Sequence, residues 1–384
     1  MKITKAELIT VGPPMAMVFA SKTGPIGTRR VIVKLHTEEG LTGVGEIDLV
    51  PAEWGHNPSS VFAMFEEFIK PHIIGKDPFD IEAILQEIDV GVDFRQTPEL
   101  MLFERSGLDA ALYDLMGKYC RVPVHKLIGG RVQEKAAVAW VLTIDKPEAM
   151  AMVATEYVEK GYFDFKLKVG LGMEEDVARV KAVREAVGDK VGVRVDVNGW
   201  WTPNEAVRAI RRMERYNIEL VEQPVPRWDL KGLAYIRRHV DTPIMVDESL
   251  HSIQDALRII EHEAADVFNI KFQRVGGLFN SRKIVTMAES SDIICMMGGE
   301  IELGVGTATA LHLIASSSKF VYPGDLVGMH YFKDDIVKER FLVKDGYLEV
   351  PTKPGLGVEL DDEKMRKYRV TFPEEVSWSR PPAS

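Results

Sequence analysis

Residues 163–169, with the sequence FDFKLKV, alternate between apolar and polar side chains along their whole length. A two-residue period is typical of a β-strand with two different faces, so the pattern places Asp164, Lys166 and Lys168 on one face. The two lysines on that face repel each other. The pattern therefore predicts a strand whose polar face lies in a special electrostatic environment.

The first 130 residues have the pattern of an α+β unit. Alternating runs at residues 2–10, 30–36 and 43–47 predict three strands, and helices follow them. Two polar segments with Gly and Pro, residues 12–28 and 48–60, accompany these strands. They predict long loops, which in compact domains are more often functional than not.

After the motif LIGG, which begins at Leu127, strands and helices alternate to about residue 325. Such alternation predicts parallel strands joined by helical crossovers. Eight strands are predicted, at residues 137–144, 163–169, 191–198, 220–224, 244–248, 268–272, 293–297 and 320–322.

One ionisable group recurs at the end of each successive strand from the second to the seventh. From Lys168 the chain reaches Asp196 after 28 residues, and further intervals of 26, 25, 24 and 31 residues lead to Glu222, Asp247, Lys271 and Glu302. Each interval is about one strand plus one helix. In a (β/α)₈ barrel these strand ends share one face, where the active sites of this fold lie. Alternation directs Arg194, Asp196, Asn198 and the three lysines Lys166, Lys168 and Lys271 toward the barrel axis.

Composition and charge limit the function classes. The 384 residues carry a formal net charge of -10 and are 46% hydrophobic, which indicates an ordinary globular protein and argues against a nucleic-acid partner. The absence of a signal-type N-terminus or a long apolar run predicts a cytoplasmic protein with no membrane partner. The two cysteines, Cys120 and Cys295, are expected to be buried thiols in a reducing compartment.

The acids at three successive strand ends indicate a metal site. Asp196, Glu222 and Asp247 would repel each other unless a cation lay between them. Because the donors are all oxygen atoms, the set favours a hard ion such as Mg²⁺, with Mn²⁺ as an alternative.

The lysines flank this predicted metal site from the strands on either side. Lys168 lies on the strand before the three acids and Lys271 on the strand after them. A divalent cation and the neighbouring Lys166 both disfavour the ammonium form of Lys168. Its pKa is therefore expected to fall toward the range in which a lysine acts as a base.

These motifs together resemble the enolase superfamily, and within it the muconate-lactonizing-enzyme-like subgroup of the mandelate racemase/muconate lactonizing enzyme family. The matching motifs in chain order are SGLDAALYDLMGK from Ser106, LIGG, the KLK at Lys166, VDVN, VEQP, VDES, IKFQRVGG and PGLGVEL from Pro354. The mandelate-racemase branch places a His-Asp dyad on strands six and seven. No histidine occupies a matching strand end here, and His251 is expected near a helix start instead.

The resemblance implies a modified (β/α)₇β TIM-like barrel with an N-terminal α+β capping domain. The implied divisions are residues 1–127 for the cap, 128–330 for the catalytic barrel and 331–384 for a segment returning to the cap. The two long loops of the cap are implied to close over the substrate. Family members are commonly homo-oligomers, so a homo-oligomer is expected.

The implied chemistry is removal of the proton α to a substrate carboxylate, giving an enediolate stabilised by Mg²⁺. Asp196, Glu222 and Asp247 match the family's metal ligands, and Lys168, Lys271, Lys166 and Glu302 its catalytic groups. The favoured interpretation is an isomerase of a small carboxylate, either a cycloisomerase or a racemase or epimerase. A dehydratase of a hydroxy or sugar acid and a non-catalytic carboxylate-binding protein are the alternatives.

Two residues have roles that the sequence leaves open. Glu300 shares the parity of Glu302 at a position that is more often apolar in the family, so it either binds a polar substrate group or lies at a solvated rim. Trp54, in the second cap loop, either closes the lid or offers a cation–π face.

Overall fold

The computed structural model describes residues 1–16, 20–21, 24–25, 29–49, 56–92, 96–97 and 99–371. An antiparallel sheet of three strands, Ile3–Val11, Arg30–Thr37 and Thr42–Asp48 in that order, begins the chain, and helices pack against it. The strands here are β1 (Ile3–Val11), β2 (Ala20–Ser21), β3 (Gly24–Pro25), β4 (Arg30–Thr37) and β5 (Thr42–Asp48). The helices are α1 (Pro58–Met64), continued by a π-helical turn (Phe65–Ile69), α2 (Lys70–Ile73), α3 (Ile81–Gly91) and α4 (Leu102–Cys120).

Helix α4 lies directly on the cap sheet because glycines allow the two backbones to approach closely. A Cβ atom on Gly45 would lie 1.9 Å from the carbonyl oxygen of Gly107, so no larger residue fits there. Asp114 on the same helix accepts hydrogen bonds from the backbone N–H groups of Val44 and Leu356. The SGLDAALYDLMGK and PGLGVEL motifs are therefore parts of one packed unit.

The second part of the chain forms a seven-stranded parallel sheet, in which each strand pairs with the next strand along the chain. A short strand β6 (Lys135–Ala137) precedes it and pairs with β14 (Tyr347–Glu349) near the C-terminus. The barrel strands are β7 (Trp140–Leu142), β8 (Asp164–Lys168), β9 (Gly192–Asp196), β10 (Val221–Glu222), β11 (Ile244–Val246), β12 (Val267–Ile270) and β13 (Ile294–Met297).

Helices connect these strands as the sequence predicts. They are α5 (Pro147–Glu159), α6 (Met173–Val187), α7 (Pro203–Met213), α8 (Leu230–Arg237), α9 (Ile253–Glu261), α10 (Leu278–Ser290) and α11 (Gly304–Ala315), with 3₁₀ turns at Val124–Lys126 and Glu214–Tyr216. Helix α7 begins at the capping box of Thr202 and Glu205, which satisfies the first backbone N–H groups.

The barrel closes without a regular eighth strand. Residues 320–324 make two isolated parallel bridges, Phe320 with Cys295 on β13 and Gly324 with Val138 beside β7. The prediction of a strand at residues 320–322 is thus only partly right, because this segment pairs through single bridges. The chain nevertheless has the predicted fold class, a modified (β/α)₇β barrel with an N-terminal α+β cap.

The barrel interior is divided between apolar and charged side chains. Leu220, Met245, Val267 and Met296 form a separate buried apolar cluster. On the neighbouring strands, buried Arg194 instead forms an ion pair with Asp164, with 2.6 Å between Nη1 and Oδ1. The interior is therefore a packed core whose β8–β9 side is held together by charge.

The end of the described chain runs back to the first strand of the cap. It includes α12 (Gly328–Tyr331), β14 and α13 (Asp362–Lys367). The backbone N–H of Val370 donates to the carbonyl oxygen of Thr10, and that of Gly12 donates to Tyr368. These two hydrogen bonds join the end of the described chain to the first strand of the cap. The predicted division of the chain into three parts remains a prediction.

The structure bears on the expectations for the two cysteines and for membrane-spanning helices. Cys295 is buried, but Cys120 at the end of α4 is exposed, so the expectation of two buried thiols is wrong for Cys120. No helix in the described ranges has both the length and the apolar character needed to cross a membrane.

Candidate active site

The three predicted metal ligands are brought together at the C-terminal ends of β9, β10 and β11. Asp196 and Glu222 are direct neighbours in the register of β9 and β10, and Asp247 follows the last residue of β11. All three side chains are buried. The three acids thus lie at one end of the barrel, the end to which the intervals of one strand plus one helix assign them.

Lys166 and Lys168 both contact the same oxygen atom of Asp196. The Nζ of Lys168 lies 2.6 Å from Asp196 Oδ2, and the Nζ of Lys166 lies 2.9 Å from it. Lys168 also donates to the side-chain oxygen of Asn198 over 2.9 Å. The repulsion between the two lysines of β8 is thus offset by a shared carboxylate.

Lys166 also forms ion pairs with two further carboxylates, those of Glu222 and Asp325. Its ammonium also lies 2.8 Å from Glu222 Oε2 and 2.8 Å from Asp325 Oδ2. Burial alone would lower the pKa of Lys166, but Asp196, Asp325 and Glu222 outweigh it and raise this pKa well above its ordinary value. Lys166 therefore stays charged at neutral pH.

Lys271 lies in a second charged group beyond Asp247. Its Nζ is 3.1 Å from Asp247 Oδ2 and 3.4 Å from Glu300 Oε1. Arg274 joins the same two acids, with 2.8 Å from Nη1 to Asp247 and 2.7 Å from Nη2 to Glu300. Two cations and two anions therefore alternate at this side of the barrel.

Glu302 faces the cap, whereas Glu300 faces Lys271. Glu302 accepts hydrogen bonds from Gln273 Nε2 at 2.6 Å and from the backbone N–H of Glu300 at 2.7 Å, and Gln273 also donates to Asp48 of the cap. Ile301 between the two acids has a φ of 63°, which breaks the strand alternation. The sequence pattern places Glu300 and Glu302 on the same face, and this pattern does not hold across Ile301.

Burial and mutual repulsion act strongly on Glu222. Burial raises its pKa, and the neighbouring Asp196 raises it further, so that it reaches about 8. The pKa of Asp196 is instead lowered to about 2, because Lys166 and Lys168 outweigh the effect of burial. Without a metal, Glu222 is therefore the one of Asp196 and Glu222 whose charged form is disfavoured.

Within the part of the chain that the structure describes, no three His, Cys, Asp or Glu side chains are grouped so that they could hold a metal ion as they stand. The ammonium of Lys166 bridges Asp196 and Glu222, and Asp247 is held by Lys271 and Arg274. The donor set still fits a hard divalent cation, because Asp196, Glu222 and Asp247 are all carboxyl oxygen donors buried at the ends of adjacent strands. The metal site remains a prediction.

Sequence reasoning missed two charged residues of this region, Asp325 and Arg274, and assigned no partner to Arg194. A signal for Asp325 was available, since it directly follows the last barrel segment, 23 residues after Glu302, close to the other intervals. Arg274 lies in the turn after β12, where strand alternation carries no information. Arg194 was expected to face the axis, but its ion pairs require knowledge of its neighbours.

Other residues singled out in the sequence lie away from these charges or outside the described residues. His251 is buried just before α9, where its Nδ1 lies 2.6 Å from Nη1 of Arg227, and it thus fits the expectation of a residue near a helix start. Trp201, just before α7, is buried, whereas its neighbour Trp200 is about half exposed. Trp54 and much of the two predicted cap loops lie outside the described residues.

Family comparisons agree with the arrangement of cap and barrel. Residues 3–129 match the family described as "Mandelate racemase / muconate lactonizing enzyme, N-terminal domain". Residues 149–364 match the family described as "Enolase C-terminal domain-like". Together the two matches span most of the chain.

Several enzymes are similar to this chain over nearly its full length. The N-succinyl-L-Arg/Lys racemase of Bacillus cereus is 36% identical over 372 residues, which are 96% of this chain and 98% of the racemase. The crystal structure of the dipeptide epimerase of Enterococcus faecalis, complexed with Mg and the dipeptide L-Leu-L-Tyr, is 36% identical, with a TM-score of 0.88 over 94% of this chain and 100% of that chain. The muconate lactonizing enzyme of Pseudomonas fluorescens, complexed with muconolactone, is 30% identical, with a TM-score of 0.90 over 96% and 99% of the two chains.

Proposed function

We propose, from the premise that this chain belongs to the mandelate racemase/muconate lactonizing enzyme family of the enolase superfamily, that it is an isomerase acting by 1,1-proton transfer. The proton removed and returned is the one α to a substrate carboxylate. The substrate class we propose is an amino acid whose nitrogen is acylated. An N-succinyl amino acid and a dipeptide, named for two of the similar enzymes, share this feature.

The observation that carries the proposal is the placement of Lys168 and Lys271 on opposite sides of the barrel mouth. β8 and β12 are separated by β9, β10 and β11 on one side and by β13, the segment 320–324 and β7 on the other. A substrate bound over the axis thus has one ammonium or amine on each face of its α-carbon. One lysine can remove a proton while the other returns one, which inverts the configuration.

The acids of β9, β10 and β11 would hold the metal, namely Asp196, Glu222 and Asp247. A bound Mg²⁺ would neutralise the negative charge that develops on the substrate carboxylate when the proton leaves. Lys168 Nζ takes the proton on one face of the α-carbon, and Lys271 Nζ gives or takes it on the other. Lys166 stays charged and adds positive potential beside the acids.

The dehydratase alternative has less support from the geometry. It needs an acid that donates a proton to a leaving hydroxyl group. Burial raises the pKa of Glu300, but Lys271 and Arg274 outweigh it and lower this pKa, so Glu300 is an anion. Glu302, whose pKa is raised to about 7 by burial and by Asp48, is hydrogen-bonded to Gln273 at the cap interface.

Exchange in D₂O tests the proposal directly. The protein with Mg²⁺ is incubated with N-acyl amino acids, dipeptides, dicarboxylates, proline derivatives and sugar acids, and incorporation of α-deuterium is read by mass spectrometry. We expect deuterium and loss of optical purity in N-acyl amino acids or dipeptides. A semicarbazide-positive product from a hydroxy acid, with no exchange in the acylated amino acids, would contradict the proposal and support a dehydratase.

A matched pair of variants distinguishes the roles of Glu300 and Glu302, the two acids in the loop that follows β13. Glu300→Gln removes the charge that Lys271 and Arg274 share, so we expect kcat to fall by about 10²-fold, the lower end of what an acid–base group contributes, because Lys271 loses a partner that positions it. Glu302→Gln resembles the protonated form of its carboxyl, so a smaller change is expected. Steady-state kinetics on the substrate found by exchange measures kcat for both variants. A larger effect of Glu302→Gln would show that the roles of Glu300 and Glu302 are assigned wrongly.

A further inference from the structure

The ammonium of Lys166 is held by three buried carboxylates, of which two belong to the proposed metal site. Its distances to oxygen atoms of Asp196, Glu222 and Asp325 are 2.9, 2.8 and 2.8 Å. Asp325 is the member of this trio that is not a proposed metal ligand. It follows the segment that closes the barrel, and its backbone N–H donates to the carbonyl oxygen of Met297.

Asp325 is itself fixed from the opposite side by Arg194. Nη2 of Arg194 lies 2.7 Å from Asp325 Oδ1 and 2.9 Å from the carbonyl oxygen of Pro323, and Nη1 binds Asp164. Arg194 is completely buried. An alternating line of charges, Asp164, Arg194, Asp325 and Lys166, therefore runs up the barrel interior, and its formal charges balance.

A divalent cation on Asp196 and Glu222 would repel the ammonium that bridges them. Lys166 then needs a carboxylate outside the metal ligands, since an unpaired buried charge is strongly unfavourable. We propose that Asp325, held by Arg194, is a positioning residue that retains the Lys166 ammonium and so frees Asp196 and Glu222 for Mg²⁺. The inference rests on the metal site of the proposed function.

The test measures Mg²⁺ binding to the metal-free protein without substrate, by isothermal titration calorimetry. Asp325→Asn keeps the shape of the side chain but removes its charge, so Lys166 should remain on Asp196 and Glu222. We expect Mg²⁺ to bind about tenfold more weakly or worse, the scale of effect seen for residues that support metal ligands. Asp335→Asn is the matched control, because Asp335 is a buried acid that accepts from the backbone of α11 and lies outside the barrel interior. Its Mg²⁺ affinity should be unchanged.

A double-mutant cycle separates positioning from a merely structural role. In a Lys166→Met background the competing ammonium is gone, so adding Asp325→Asn should leave Mg²⁺ affinity unchanged. An equal loss in both backgrounds, or normal Mg²⁺ binding by Asp325→Asn alone, would overturn the inference. Should Asp325→Asn not fold, Asp325→Glu, which keeps the charge but displaces it, must show a smaller loss that Lys166→Met again removes. If the unmodified protein binds no Mg²⁺ at all, the metal site itself fails and the inference fails with it.

Discussion

Replacing Lys168 by alanine will stop α-deuterium exchange into one enantiomer of the substrate, and replacing Lys271 will stop exchange into the other. The reason is that each lysine serves one face of the α-carbon from opposite sides of the barrel. Removal of an acid–base group of this kind typically slows the reaction about 10²–10⁴-fold. Mass spectrometry of each enantiomer, incubated separately in D₂O with each variant, measures the two rates independently.

Which enantiomer each variant fails to exchange is more informative than the factor by which the exchange rate falls. Lys168→Met is a useful second variant, because an apolar side chain of similar length fills the space beside Asp196 and Asn198. Lys181→Ala on α6 serves as a control, since its side chain is half exposed and pairs only loosely with Glu185, at 3.8 Å. Small and equal effects of both catalytic replacements on both enantiomers would indicate that the lysines only bind substrate.

Removing the metal should abolish turnover. Exhaustive chelation followed by assay, with and without added Mg²⁺ or Mn²⁺, is expected to lower the exchange rate by at least about 10²–10³-fold, the loss caused by removing one preorganised electrostatic group. Added Mg²⁺ should restore the rate. Identical activity of the chelated and the metal-loaded protein would rule out the proposed metal site.

Among the proposed ligands, Glu222 is the best position for a variant. Its pKa of about 8 means that the metal-free carboxyl is largely protonated at neutral pH, so Glu222→Gln should preserve the fold while losing Mg²⁺ affinity. Asp247→Asn is expected to behave differently, because it deprives the buried Arg274 and Lys271 of a shared partner. Thermal unfolding of the two variants without metal should therefore show the larger fall in stability for Asp247→Asn.

Much of the barrel followed from local periodicity. The alternation in FDFKLKV and in the strands after it predicted which side chains face the axis, and intervals of one strand plus one helix predicted that the acids and lysines share one end. These inferences needed only the geometry of an extended chain and the fact that the ends of parallel strands meet. The motifs at these strand ends, with those before the barrel and near the C-terminus, resemble the family that the comparisons show.

The pattern failed where the chain leaves regular structure. Glu300 and Glu302 have the same parity in the sequence, but the left-handed backbone at Ile301 sends one to Lys271 and the other to Gln273. The last barrel segment pairs through single bridges, and Asp325 at its end was overlooked. In both cases the orientation depends on loop dihedrals, which no two-residue period encodes.

By itself, the sequence determined the order of the strands, the inward direction of Asp196, Lys166, Lys168 and Lys271, and the chemistry open to them, because these depend on neighbours along the chain. Only the tertiary structure decided which charges are partners. Arg194 and Asp325 are 131 residues apart in sequence yet 2.7 Å apart in space, and Asp325 also contacts Lys166. Pairing energies at such short range depend on distance and burial, which exist only in the folded chain.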